Sequence, residues 1–173
     1  MRKSEGPWDA TRDLLGHRRG RDESAEERAD RMWADLLQEL RVAQTGVQIL
    51  LGVLIIAAFQ PAFTDLGGTD LALYVAAVAL GAAAAGALIG PVSLHRIVAG
   101  HRIKPQAVTL AARMAKTGLA LLAVTTVLAL LLLLRVAVDD TLAAWLTAAI
   151  SAWLITVWLV LPAWARHHYT SRT

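Results

Sequence analysis

Residues 32–60 read MWADLLQELRVAQTGVQILLGVLIIAAFQ, and this stretch decides the fold. It starts as a charged amphipathic helix and turns apolar with no clear break. From 42 to 60 it carries no Asp, Glu, Lys or Arg. An uncharged apolar run of about 18 residues or more reads as a membrane span. Three further runs of this kind occupy 71–89, 117–134 and 142–164. At about 1.5 Å rise per residue each covers roughly 27–34 Å, the thickness of a hydrocarbon core. Backbone groups in lipid must be satisfied inside the segment, so these runs are read as helices. The expected fold class is all-α. It is a polytopic membrane protein, a four-helix bundle of transmembrane helices with a cytoplasmic amphipathic N-terminal extension. The predicted organisation is a disordered cytoplasmic tail (1–23), an amphipathic cytoplasmic helix (24–41), a four-helix transmembrane domain (42–164) and a cytoplasmic tail (165–173).

Composition agrees. Of the 173 residues 56% are hydrophobic, and there is no cysteine, so no disulfide framework or thiolate site is available. The isoelectric point near 9.8 does not point to nucleic acid. The basic residues flank the apolar runs, where membrane topology explains them.

Moving outward from the opening stretch, residues 1–23 mix both charges and show no apolar period, as a solvated tail does. Arg18, Arg19 and Arg21 can alternatively touch anionic head groups. No secretory signal peptide is expected, because the first apolar run begins too late. Ser24-Ala-Glu-Glu27 fits a capping box. From there Met32, Trp33, Leu36, Leu37 and Leu40 recur at helical spacing as one apolar stripe, with Glu27, Arg31 and Asp35 at i, i+4 on the other side.

Arg41, Gln44, Thr45 and Gln48 follow at i, i+3, i+4, i+7 and are expected to share a face that turns inward. An unpaired amide facing lipid tails costs several kcal/mol. One reading is a hydrogen bond to a neighbouring helix. The other is the lining of a polar pocket. The candidate polar face comprises Glu39, Arg41, Gln44, Thr45 and Gln48, joined by His95 and Arg96 beyond the second span.

Gln60-Pro61 is expected to end the first helix, and Gly67-Gly68 to turn the chain. Ala82, Gly86 and Gly90 place small residues one turn apart, a spacing that lets helix backbones approach within the bundle or between protomers. Pro91 is expected to end the second span. Pro105 suits the first turn of the next helix. That helix also starts before its apolar run, so the two extensions should meet, with the 32–40 stripe on Val108, Ala111 and Ala112. In the fourth run Trp145 and Trp164 read as interfacial anchors. Trp153 and Trp158 are deeper and need hydrogen-bond partners such as Ser151 or Thr156.

The positive-inside rule orients the chain. The 90–116 connection holds Arg96, Arg102, Lys104, Arg113 and Lys116. The 61–70 loop has no Lys or Arg, and the 135–141 loop has Arg135 alone. An even number of spans then places both termini in the cytoplasm. Arg102, Lys104, Arg113 and Lys116 are expected to contact anionic lipid head groups on that side.

The stretch LLQELRVAQTGVQILLG (36–52), the later GPVSLHR (90–96) and four spans in this length resemble a family of actinobacterial membrane proteins of unknown function. The resemblance covers about 29–134 and is most specific over 39–48. Some members carry an automatic sodium/proton antiporter label. The resemblance implies a bacterial inner-membrane location and lends no mechanism to individual residues.

No phosphate-binding glycine loop, HExxH or nucleophile elbow is present, so no enzyme activity and no cofactor are expected. His95, His101, His167 and His168 lack the spacing of a metal-ligand pair. Proton-coupled transport normally relies on a titratable Asp, Glu or His inside the membrane, and the four runs contain none. The favoured function is a structural or regulatory membrane component acting through helix–helix association, with a homo-oligomer or another membrane protein as partner. The alternative is a subunit of an ion- or proton-coupled transporter or channel that uses the polar face.

Overall fold

The computed structural model describes residues 25–98 and 104–170. The described chain is all-α: α1 (Ala25–Ala57), a 3-10 turn (Pro61–Asp65), α2 (Gly68–Val98), α3 (Lys104–Ala137), α4 (Asp140–Ile155), a π turn (Thr156–Val160) and α5 (Leu161–Thr170). Four stretches are long and apolar enough to cross a membrane: Glu27–Ala57, Gly68–Val98, Gln106–Ala137 and the composite rod Asp140–His168. Ser24, Arg18, Arg19, Arg21, His101 and Arg102 lie outside the described residues.

α1, α2 and α3 pack against one another along seams that repeat every seven residues. On α1 the buried positions include Trp33, Leu40, Val47 and Leu54. On α2 they include Ala77, Ala84, Pro91 and Val98, with Gly81 and Leu88 between them. On α3 Ala111, Thr125 and Leu132 share one register, and Val108, Ala115 and Leu122 the other. A seven-residue repeat keeps one seam facing the partner when helices cross at a shallow left-handed angle. Apolar burial gives little drive between helices in lipid, so close contact matters more there. Small residues provide it. A Cβ on Gly118 would lie 2.7 Å from Leu88 Cγ and 3.2 Å from the Leu88 backbone nitrogen, and one on Gly81 would lie 2.8 Å from Leu51 Cδ2.

The charged N-terminal half of α1 is part of this bundle. Ala29 and Trp33 form a buried cluster with Val98, Ala107, Val108 and Ala111, flanked by Leu36, Leu37 and Leu94. The stripe therefore meets Val108 and Ala111. Two details differ from expectation: Met32 is 49% exposed, outside the seam, and Ala112 is only half-buried. α2 does not end at Pro91. It runs on to Val98 with Pro91 buried in its interior, because the proline sits in the seam where neighbouring helices hold the turn.

The opposite end is closed by polar contacts. The last turn of α1 tightens, with Ala58 N–H donating to Ile55 O (3.2 Å) rather than to Leu54 O. The Leu54 carbonyl so released accepts from the Tyr74 hydroxyl at 3.0 Å, and Phe63 packs edge-on against Tyr74 at 4.8 Å. Arg135 Nε donates to Asp70 Oδ1 at 2.6 Å, and its Nη1 lies 3.3 Å from Asp140 Oδ1. Asp139 caps α4 by accepting from the Thr141 and Leu142 amides.

Among the described residues α4 packs chiefly on α3, through buried Ala143 and Thr147. Beyond it the helix widens to a π turn, with the Leu161 amide donating to Thr156 O. Pro162 follows immediately and cannot donate to an α-ladder, a usual setting for a π turn. Trp153 (66%) and Trp158 (46%) are exposed. The Ser151 and Thr156 hydroxyls, expected as their partners, donate instead to their own helix at Thr147 O and Ala152 O. A helix touching one neighbour has no second wall to receive an indole.

Candidate functional site

The candidate polar face does not converge. Gln44 turns into the bundle and its Nε2 donates to Leu88 O at 2.8 Å, tying α1 to the α2 turn that precedes Pro91. Thr45 is exposed, and its hydroxyl donates to Arg41 O of its own helix at 3.0 Å. Gln48 is exposed as well. The expectation that Gln44, Thr45 and Gln48 all turn inward is therefore corrected. The seam runs through Leu40, Val47 and Leu54, and with an i, i+7 repeat Gln44 lies on its flank. Gln48, one residue past Val47, is rotated by roughly 100° to the outside.

Glu39, Arg41 and Arg96 are exposed and make no ion pair among the described residues. His95 is exposed but lays its ring against Trp33, centroids 5.0 Å apart at 42°. The Trp33 indole nitrogen is buried without a hydrogen-bond partner among the described residues. Arg113 and Lys116 are exposed at the start of the third apolar run, while the Lys104 side chain lies outside the described residues. Ala82 and Gly86 face outward, and a Cβ on Gly86 would meet nothing within 4 Å, whereas Gly90 lies against Met114 across the α2–α3 contact. The three small residues thus serve two different surfaces.

A feature absent from the sequence reading lies at the far end. α1 and α3 diverge to leave a groove of about 420 Å³, lined by Leu50, Leu54, Phe63, Tyr74, Leu130 and Leu133 among others. Its hydroxyls are already engaged, Tyr74 with Leu54 O and Thr126 with Leu122 O. The groove offers mainly apolar contact, and no Asp, Glu, His, Lys or Arg lines it. Among the described residues no three His, Asp or Glu side chains come together as a metal site would require. The only hint in sequence was the aromatic pair Phe63 and Tyr74 flanking the first turn.

Four long apolar helices, three of them joined by small-residue seams and one interhelical amide bond, define an all-helical protein of the multi-pass membrane class. The chain belongs to DUF6328, a family of unknown function whose model matches residues 22–162. No curated protein and no solved structure matches it.

Proposed function

We propose that this is a structural or regulatory component of the bacterial plasma membrane that acts through helix–helix association. Both termini are cytoplasmic and the two short acidic connections lie outside. The observation that carries the reading is the Gln44 bond to Leu88 O. The one glutamine of the polar face that turns inward is engaged in holding two helices together. A bond of this kind contributes about 0.6–2 kcal/mol between membrane helices. The transporter alternative has less support. No Asp, Glu or His stands within the apolar runs, and the described groove is lined almost wholly by apolar side chains. Exposed Arg96, Arg113 and Lys116 suit contact with anionic head groups on the cytoplasmic side.

Reconstitution tests this. Purified chain in proteoliposomes should pass no proton or sodium flux under an imposed gradient, and Gln44→Leu should lower thermal stability without altering permeability. A wild-type flux that Glu39→Gln or Gln48→Leu abolishes would overturn the reading. Orientation is checked with single cysteines replacing Asp65, Asp139 and Arg102. The first two should be labelled from outside intact cells, and labelling of the third would reverse the topology.

A further inference from the structure

Gln44 and Gln48 sit one turn apart on α1, yet only Gln44 has a partner. Gln48 lies two turns past Arg41, roughly 10 Å deeper along the helix axis. It is exposed, and no hydrogen bond reaches its side chain among the described residues. Hydrocarbon at that depth offers no donor or acceptor, and an unsatisfied amide there is costly. The surface around it is shaped for close approach. Gly52, one turn on, shares its side of the helix, and a Cβ there would meet nothing within 4 Å. Among the described residues no contact therefore uses its missing side chain. Exposed Ile49 provides apolar contact beside it. The neighbouring Thr45 hydroxyl is already bonded to Arg41 O, so Gln48 alone calls for a polar partner.

We propose that the outward face of α1 from Thr45 to Val53 is a self-association surface on which Gln48 bonds Gln48 of a second copy. A primary amide carries both donors and acceptors, so two related by a twofold axis satisfy each other through a reciprocal pair of bonds. Both copies enter the membrane in the same sense, which sets that axis along the membrane normal and brings the two residues to one depth. Gly52 lets the two backbones close to the distance such a pair requires. The proposal rests on the helix-association reading and names the surface and the partner for it.

The chain has no cysteine, so single cysteines report without background. T45C and I49C, each in the full chain with Gln48 and Gly52 intact, should form disulfide dimers on oxidation in phospholipid vesicles. V124C, exposed on α3, should not. Adding Gln48→Leu should weaken dimerisation about tenfold, while Gln48→Asn, which keeps the amide, should retain most of it. A melting temperature near wild type for both Gln48 variants establishes that the monomer fold survives. The proposal is overturned if T45C and I49C cross-link no better than V124C, or if Gln48→Leu leaves dimerisation unchanged. In that event helix association through another face, Ala82 and Gly86 included, still stands. A wild-type ion flux, by contrast, removes the functional reading while leaving the dimer test intact.

Discussion

The apolar 18-residue stretches of the first and last spans are almost equally hydrophobic, with mean hydropathies of 1.8 and 1.9, yet 17% of the first stretch is buried and 6% of the last. Hydropathy decides whether a segment enters a bilayer. It does not decide whether that segment has neighbours. α1 is held by a seven-residue seam, by Gln44 on Leu88 O and by its Leu54 carbonyl under Tyr74. α4 offers only Ala143 and Thr147 to α3 before the π turn and Pro162 end its regular ladder. Lipid competes equally well for any apolar face, so a membrane helix joins a bundle where small residues and polar bonds make the bundle the better solvent.

This contrast can be broken most directly with tryptophans. Trp33→Ala should cost about 3–5 kcal/mol, because a 3% exposed ring in a cluster with Val98, Val108 and Ala111 leaves a cavity. The loss should appear as a lower unfolding midpoint in detergent, and a value close to wild type would mean the N-terminal half of α1 is not docked. Gly118→Leu should follow at about 1–3 kcal/mol, since the new side chain meets the Leu88 backbone as well as its side chain. Trypsin susceptibility of the α2–α3 pair would report it. Asp70→Asn should have a small effect that 1 M salt erases, because its ion pair with Arg135 is partly solvent-exposed and screened. Trp153→Ala should change stability least, within about 0.5 kcal/mol, the range of surface substitutions. A large loss there would mean that α4 has a partner outside the chain, which a size measurement before and after substitution would identify as an oligomer or not.

Much of the architecture was legible beforehand. The four runs without charge each became a helix, because hydrocarbon leaves an unbroken backbone no alternative. The stripe from Trp33 to Leu40 foretold contact with Val108 and Ala111, since an apolar face in water must be covered. The candidate face was less legible. Gln44 and Gln48 look equivalent on an ideal helical wheel. Packing at a seven-residue repeat separates them, and that repeat depends on where Gly81, Leu88 and Gly118 let α2 and α3 approach. The same reason hid the split between Gly86 and Gly90. Trp153 and Trp158 misled because α4 packs chiefly on a single neighbour, which leaves both rings on its exposed side. The groove beside Tyr74 needed the divergence of α1 from α3, which no local pattern records.

The sequence by itself determined that the chain is helical, that four of its stretches are apolar enough to cross a membrane, and that the first carries an amphipathic half beyond its apolar run. Those properties follow from local composition, because solvent and backbone chemistry act on each segment separately. Only the tertiary structure decided which of the two glutamines is held inside, which small residues are contacts and which are free surface, and which helix stands apart. Those outcomes depend on how three helices share a seam, and a seam belongs to the set of helices rather than to any one of them.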